Sequence, residues 1–113
     1  MTTYTVVGNT KSLSTGTTAN VVQFNNPTTG TFLIQNPSTT VFAYVGVFTS
    51  NVAATFHHPI TNGESGQGVV LQPNQSLTLS VNGGPVVLGG NVWLATITQT
   101  GSTSIYASPV AAN

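Results

Sequence analysis

The feature that most restricts the fold of this chain is its punctuation. Clusters of Gly, Pro, Asn and Ser fall about every ten residues, the spacing of short strands joined by turns. Asn25-Asn26-Pro27, Thr29-Gly30, Asn36-Pro37-Ser38, Pro73-Asn74, Asn82-Gly83-Gly84-Pro85 and Gly89-Gly90 all carry turn chemistry. Between them no segment repeats apolar residues at i, i+3, i+4 and i+7, and the β-branched residues that fill the gaps are poor helix formers. The pattern predicts strands near Tyr4–Val7, Ala19–Phe24, Thr31–Gln35, Val41–Val47, Val52–Phe56, Gly68–Leu71, Ser76–Val81, Val92–Thr98 and Thr103–Ser108.

Strands at this spacing with no crossover helices make an all-β chain, an antiparallel β-sandwich or small jelly roll of about eight to nine short strands. Leu77, Leu79 and Val81 alternate with Thr78 and Ser80, so that strand has one buried and one wet face. Val92-Trp93-Leu94-Ala95 is apolar on both sides, which places it centrally or beneath a partner chain. No linker separates two cores, so the 113 residues read as a single domain of ordinary size. Residues 1–18, rich in Thr, Ser and Gly, read as an extended N-terminal arm with Tyr4, Val6 and Val7 as apolar anchors. Thr-Thr pairs at 17–18, 28–29 and 39–40 suggest a repeat, but it stops at Thr40 and does not support a solenoid.

Charge restricts function as punctuation restricts fold. Lys11 and Glu64 are the only permanently charged side chains, 2% of the chain against about 25% in an average protein. One basic side chain cannot make the several phosphate contacts that nucleic-acid affinity requires, so no nucleic-acid partner is expected. Hydrophobic residues at 39% with zero net charge are the balance of a folding chain, not a disordered one. Hydroxyls and amides then solvate the surface. There is no cysteine for disulfides or thiolate metal sites. Met1-Thr2-Thr3-Tyr4-Thr5 lacks the basic head and apolar run of a secretory signal, and no run of about 20 apolar residues offers a membrane span. Release by lysis or carriage on a particle is the expected route out of a cell.

Few residues could carry chemistry. Paired carboxylates are impossible within a chain whose one acid is Glu64, and that residue sits in the glycine-rich Asn62-Gly63-Glu64-Ser65-Gly66-Gln67-Gly68 loop. His57-His58-Pro59 is the one cluster with metal-ligand character, yet adjacent residues on an extended segment point to opposite sides. The expectation is a non-enzymatic chain with no catalytic residue, metal or cofactor. Phe24, Phe32, Phe42, Phe48, Phe56 and Trp93 read as core, while a sugar platform would use Tyr44, Tyr106 and an exposed Trp93 with Asn, Gln and Thr side chains.

Three segments resemble a known group. Phe32–Gly46 (an Asn after a first strand, then Tyr44-Val45-Gly46), Val70–Leu77 with its Leu71-Gln72-Pro73-Asn74-Gln75-Ser76-Leu77 turn, and Val92–Thr103 with its closing hairpin resemble the small β-sandwich virion proteins of tailed bacteriophages, of the capsid decoration or cement type. The likeness spans about two thirds of the chain, leaves residues 1–30 and 107–113 unexplained, and brings no catalytic residues. It implies a protein that binds the major capsid protein between its subunits and associates with copies of itself, as a trimer or other homo-oligomer. It also implies a place on the capsid surface of a virion assembled in the host cytoplasm. The expected partner surface is Tyr4, Val6 and Val7 together with Val92, Trp93 and Leu94. The alternative is a glycan- or receptor-binding module such as a head-fibre or fibre-tip domain.

Overall fold

The computed structural model describes residues 4–25, 27, 29–52, 56–57, 68–81 and 90–112. Within them run nine strands: β1 (Tyr4–Val6), β2 (Lys11–Thr15), β3 (Asn20–Asn25), β4 (Thr31–Gln35), β5 (Ala43–Phe48), β6 (Val69–Leu71), β7 (Ser76–Ser80), β8 (Asn91–Ile97) and β9 (Thr103–Ala112). They form two antiparallel sheets. One has the order β9-β4-β7, with β1 and β2 both lying along the free side of β9; the other has the order β3-β8-β5-β6.

The pairings nest. β5 pairs with β6, β4 with β7, β3 with β8 and β2 with β9, each antiparallel, so the strands β2 to β9 pair in the order of one long hairpin. Rolling that hairpin brings β4 against β9 and β5 against β8, which seals the two sheets. This is the connectivity of a jelly roll, the finer of the two architectures expected from the sequence.

Alternation along each strand decides what lies between the sheets. Phe32 and Ile34 of β4, Ile105 and Ala107 of β9 and Leu13 of β2 face Phe24 of β3, Val92 and Leu94 of β8, Val45 of β5 and Leu71 of β6. Phe24 and Phe32 bridge the layers with ring centroids 4.7 Å apart. A second apolar cluster covers the outer face of the β3-β8-β5 sheet. There Phe56, Ala95 and Ile97 pack with Val21, Tyr44, Phe48 and Val52. The chain supplies this cover itself: the Phe56 amide donates to the Val52 carbonyl at 2.8 Å, and both side chains pack in this cluster. Gly46 lies beneath it: a Cβ there would stand 2.7 Å from the Phe48 ring.

Several boundaries depart from expectation. Residues 1–18 are not an arm throughout, since Lys11–Thr15 pairs with β9 residue for residue and buries Leu13 and Thr15. This strand carries only one aliphatic side chain, so hydrophobic alternation did not reveal it. Val52 and Phe56, expected as the ends of a strand, lie in no strand and are joined by the hydrogen bond just described, while the residues between them lie outside the described residues. So do His58, Glu64 and Asn82-Gly83-Gly84-Pro85.

Pro109 sits inside β9, a strand with neighbours on both sides, where a missing N–H ought to break a ladder. It does not, because its carbonyl accepts from Val7 N at 2.9 Å, which shows that Pro109 turns its backbone toward the gap between β1 and β2. Carbonyl and amide of one residue point the same way in an antiparallel ladder, so the absent donor faces that gap.

Thr15 and Thr96 meet between the sheets, both fully buried, with hydroxyl oxygens 2.7 Å apart. Replacing Thr15 with Val should cost about 1–2 kcal/mol by leaving the Thr96 hydroxyl without its cross-sheet partner. Adding Thr96→Val should cost little more. Urea midpoints for the two single variants and the double variant test this, and additive losses would mean that the hydroxyls act independently.

Candidate functional site

Among the described residues, three of the five exposed large apolar side chains gather at one edge of the five-stranded sheet. β1 is held by the pairs Tyr4–Ala112, Thr5–Ala111 and Val6–Val110, and its other side pairs with no strand among the described residues. Tyr4 is 41% exposed, Val6 55% and Val7 38%. After Val7 the chain passes so close to β9 that a Cβ on Gly8 would sit 2.6 Å from the Pro109 ring, which leaves glycine as the residue that fits without rearrangement. The chain then enters β2 at Lys11.

That crossing forms a cleft of about 310 Å³ at one mouth of the sandwich, lined by Val7, Asn9, Lys11, Phe24, Asn25 and Pro109 among others. Lys11 pairs with Ala107, a core residue, so its stem points inward. Its ammonium donates to the Gln23 carbonyl at 2.7 Å and lies 5.3 Å from the centroid of the Phe24 ring. The single basic side chain therefore closes the end of the core, held by a carbonyl and an aromatic face. Among the described residues there is no carboxylate to pair with it. The period-two pattern Lys11-x-Leu13-x-Thr15 was the signal that could have placed it inward.

The six residues expected to form the partner surface divide. Tyr4, Val6 and Val7 gather on the β1 edge. Val92 and Leu94 do not belong to any surface: they are 0% and 2% exposed and face the other sheet. Trp93 points to the opposite side of β8, half-buried, level with Gln23 and Phe48. The apolar doubling of this strand thus reflects its central position, with Ala95 and Ile97 under Phe56 on the outside. Tyr44 shares that covered face and stacks edge-on with Phe42 at 5.9 Å.

Of the three aromatics a sugar platform would use, Tyr106 is the one left open. It lies on the outer face of the five-stranded sheet, 38% exposed, with Ser12 and Gln35 beside it on the adjoining strands. His57 is half-buried, and among the described residues no three His, Cys, Asp or Glu side chains come together. No helix among the described residues is long and apolar enough to cross a membrane.

No known protein family, curated protein or solved structure matches the chain.

Proposed function

We propose that this protein is a non-enzymatic component of a virion, a decoration protein that binds the outside of a tailed-phage capsid between major-capsid subunits and stabilises the shell. The observation that carries this reading is the β1 edge: a strand whose second side pairs with no described strand and which, with the residue after it, gathers Tyr4, Val6 and Val7, whereas on the β6 edge of the other sheet Val69 alone is as open. An edge strand of this kind offers main-chain donors and acceptors for strand addition and apolar side chains for anchorage. The resemblance of the β4–β5, β6–β7 and β8–β9 segments to phage virion proteins supports the same role. Jelly rolls recur in viral capsids and in lectins, an analogy of architecture that admits the role without selecting it.

Near-absence of charge suits a surface packed with many copies, because neighbours do not repel one another. Attachment follows mass action: a ligand that binds only the assembled shell stabilises it by RT ln(1 + [L]/Kd) at every site. The partners are then the major capsid protein and, around a symmetry axis, further copies of this chain.

Co-sedimentation with particles purified from the lysate that contains the protein tests the proposal. The full chain should pellet with the particles, and Val6→Asp should remain in the supernatant while keeping its cooperative melt. Binding should hardly change between about 0.05 M and 1 M salt, although the Debye length shrinks to about 3 Å, since no charge pair steers it. A wild-type chain that stays in the supernatant, a Val6→Asp variant that pellets equally well, or a steep fall with salt would each overturn the reading.

A further inference from the structure

Away from β1, the outer face of the five-stranded sheet ends in a shallow cleft of about 230 Å³ between the Asn36–Pro37 turn and the Asn74–Gln75 turn, floored by Tyr106. We propose that this cleft binds one sugar unit of a neutral glycan, stacked on the Tyr106 ring. The inference goes beyond particle attachment and does not depend on it, because it uses a different face of the molecule.

Local sequence explains why the ring is free. Tyr106 is flanked along β9 by Ser104 and Ser108, faced across β2 by Ser12 and across β4 by Gln35, so small hydroxyl side chains surround it on three sides. None is large enough to cover an aromatic face. Tyr44 and Trp93, the other two candidate platforms, lie on the opposite sheet, whose outer face the Phe48–Phe56 pair occupies. The structure thus selects one aromatic from three.

Polar groups around the ring are the second observation. Among the described residues, the side chains of Tyr106, Gln35, Asn74 and Ser76 make no hydrogen bond to the rest of the chain. Gln75 spends its amide oxygen on the Gln72 N–H at 2.7 Å and keeps its NH₂ group. Asn74 is held with φ of 58° by the turn, a conformation that Asn tolerates better than most residues, and its backbone N–H is tied to Ser38 at 2.9 Å. Its side chain is therefore carried on a fixed backbone.

This set fits a pyranose. A sugar ring has an apolar C–H face for an aromatic and a rim of hydroxyls that both donate and accept, and carboxamides with hydroxyls match that rim. No charged side chain lines the cleft, so nothing in it would favour a phosphate or a carboxylate sugar. At 230 Å³ the cleft is smaller than the roughly 300–1,000 Å³ of drug-sized sites, which limits it to a single ring.

The test is a titration of the isotope-labelled full chain with neutral gluco-, manno-, galacto- and chito-oligosaccharides, and with sialyllactose, followed by amide chemical shifts. Sugar sites of one ring bind weakly, so the titration runs to about 50 mM, fifty times a Kd of about 1 mM. Shifts should gather at Tyr106, Gln35 and Asn74 for at least one neutral sugar and be weaker for sialyllactose. Tyr106→Ala should weaken binding at least about tenfold with an unchanged fold, while Tyr106→Phe, which keeps the ring, should retain most of it. Shifts centred on another face, preference for sialyllactose, equal binding by Tyr106→Ala, or no shift with any neutral sugar would overturn the proposal.

Discussion

Deleting residues 1–16 should unfold the protein, whereas deleting residues 1–6 should leave a cooperatively melting sandwich that no longer attaches to particles. The longer deletion takes β2 out of the five-stranded sheet. With it go the Leu13 side chain, whose loss alone costs about 3 kcal/mol on the scale of Leu→Ala substitutions, and a ladder of five residue pairs along β9. Ile105 and Ala107 would lose their neighbour, and the Thr96 hydroxyl its partner. Together these losses reach the whole stability of an ordinary domain, about 5–15 kcal/mol.

The shorter deletion removes only β1, whose described side chains are all exposed, and leaves Leu13 and Thr15 in place. Its expected cost is about 1–2 kcal/mol, from the lost ladder to Val110–Ala112. Near-ultraviolet circular dichroism and thermal melts of the two truncations separate the outcomes. A folded chain lacking residues 1–16 would mean that β2 is an appendage. Unaltered sedimentation of the chain lacking residues 1–6 would move the attachment surface elsewhere.

β2 also shows where the sequence stops being legible. Turn punctuation located eight of the nine strands, because Gly, Pro and Asn act locally and the apolar runs between them are long enough to read. Lys11-Ser12-Leu13-Ser14-Thr15 alternates too, but in hydroxyls and one ammonium, and its inward Thr15 is satisfied by Thr96, which is 81 residues away. No local signal announces such a partner. Val52 and Phe56, expected to end a strand, misled for the converse reason: both are apolar because they pack on another strand's outer face.

The candidate sites were partly legible in the same sense. Tyr4, Val6 and Val7 could be singled out because an apolar group amid Thr and Gly stands out. Whether Val92 or Trp93 faces outward depends on which sheet covers which side of β8. That follows from the nested pairing of strands from opposite ends of the chain, and not from the residues themselves. Likewise the exposure of Tyr106 depends on the serines that the register places around it.

Asn36 should prove the most costly single side chain to shorten at the end of the sandwich near Tyr106. It is 2% exposed, and its amide nitrogen donates to the carbonyl of Val41 at 2.8 Å, with longer contacts to those of Leu71 at 3.4 Å and Gln72 at 3.3 Å. Its amide oxygen accepts from Ser38 N at 3.1 Å and from the Thr103 hydroxyl at 3.0 Å. One carboxamide thus ties the β4–β5 crossing to the β6–β7 crossing and to the start of β9. Those are the places where the rolled hairpin passes between sheets and has no ladder to hold it.

Asn36→Ala removes both ends of this network at once and leaves buried carbonyls without donors, each worth about 1–3 kcal/mol. A net loss of about 3 kcal/mol is expected, seen as a lower urea midpoint at an unchanged slope. Asn36→Asp should lose at least as much, since it replaces the donor that faces three carbonyl oxygens with another acceptor. Ser38→Ala is the comparison. Its hydroxyl accepts from Thr40 N and Val41 N at the more exposed side of the same turn, and its removal should cost under about 1 kcal/mol because water can take its place. Equal losses for Asn36→Ala and Ser38→Ala would mean that the turn is held by its backbone bonds, such as Asn36 N to the Gln75 carbonyl at 2.9 Å, and that the buried amide only fills space.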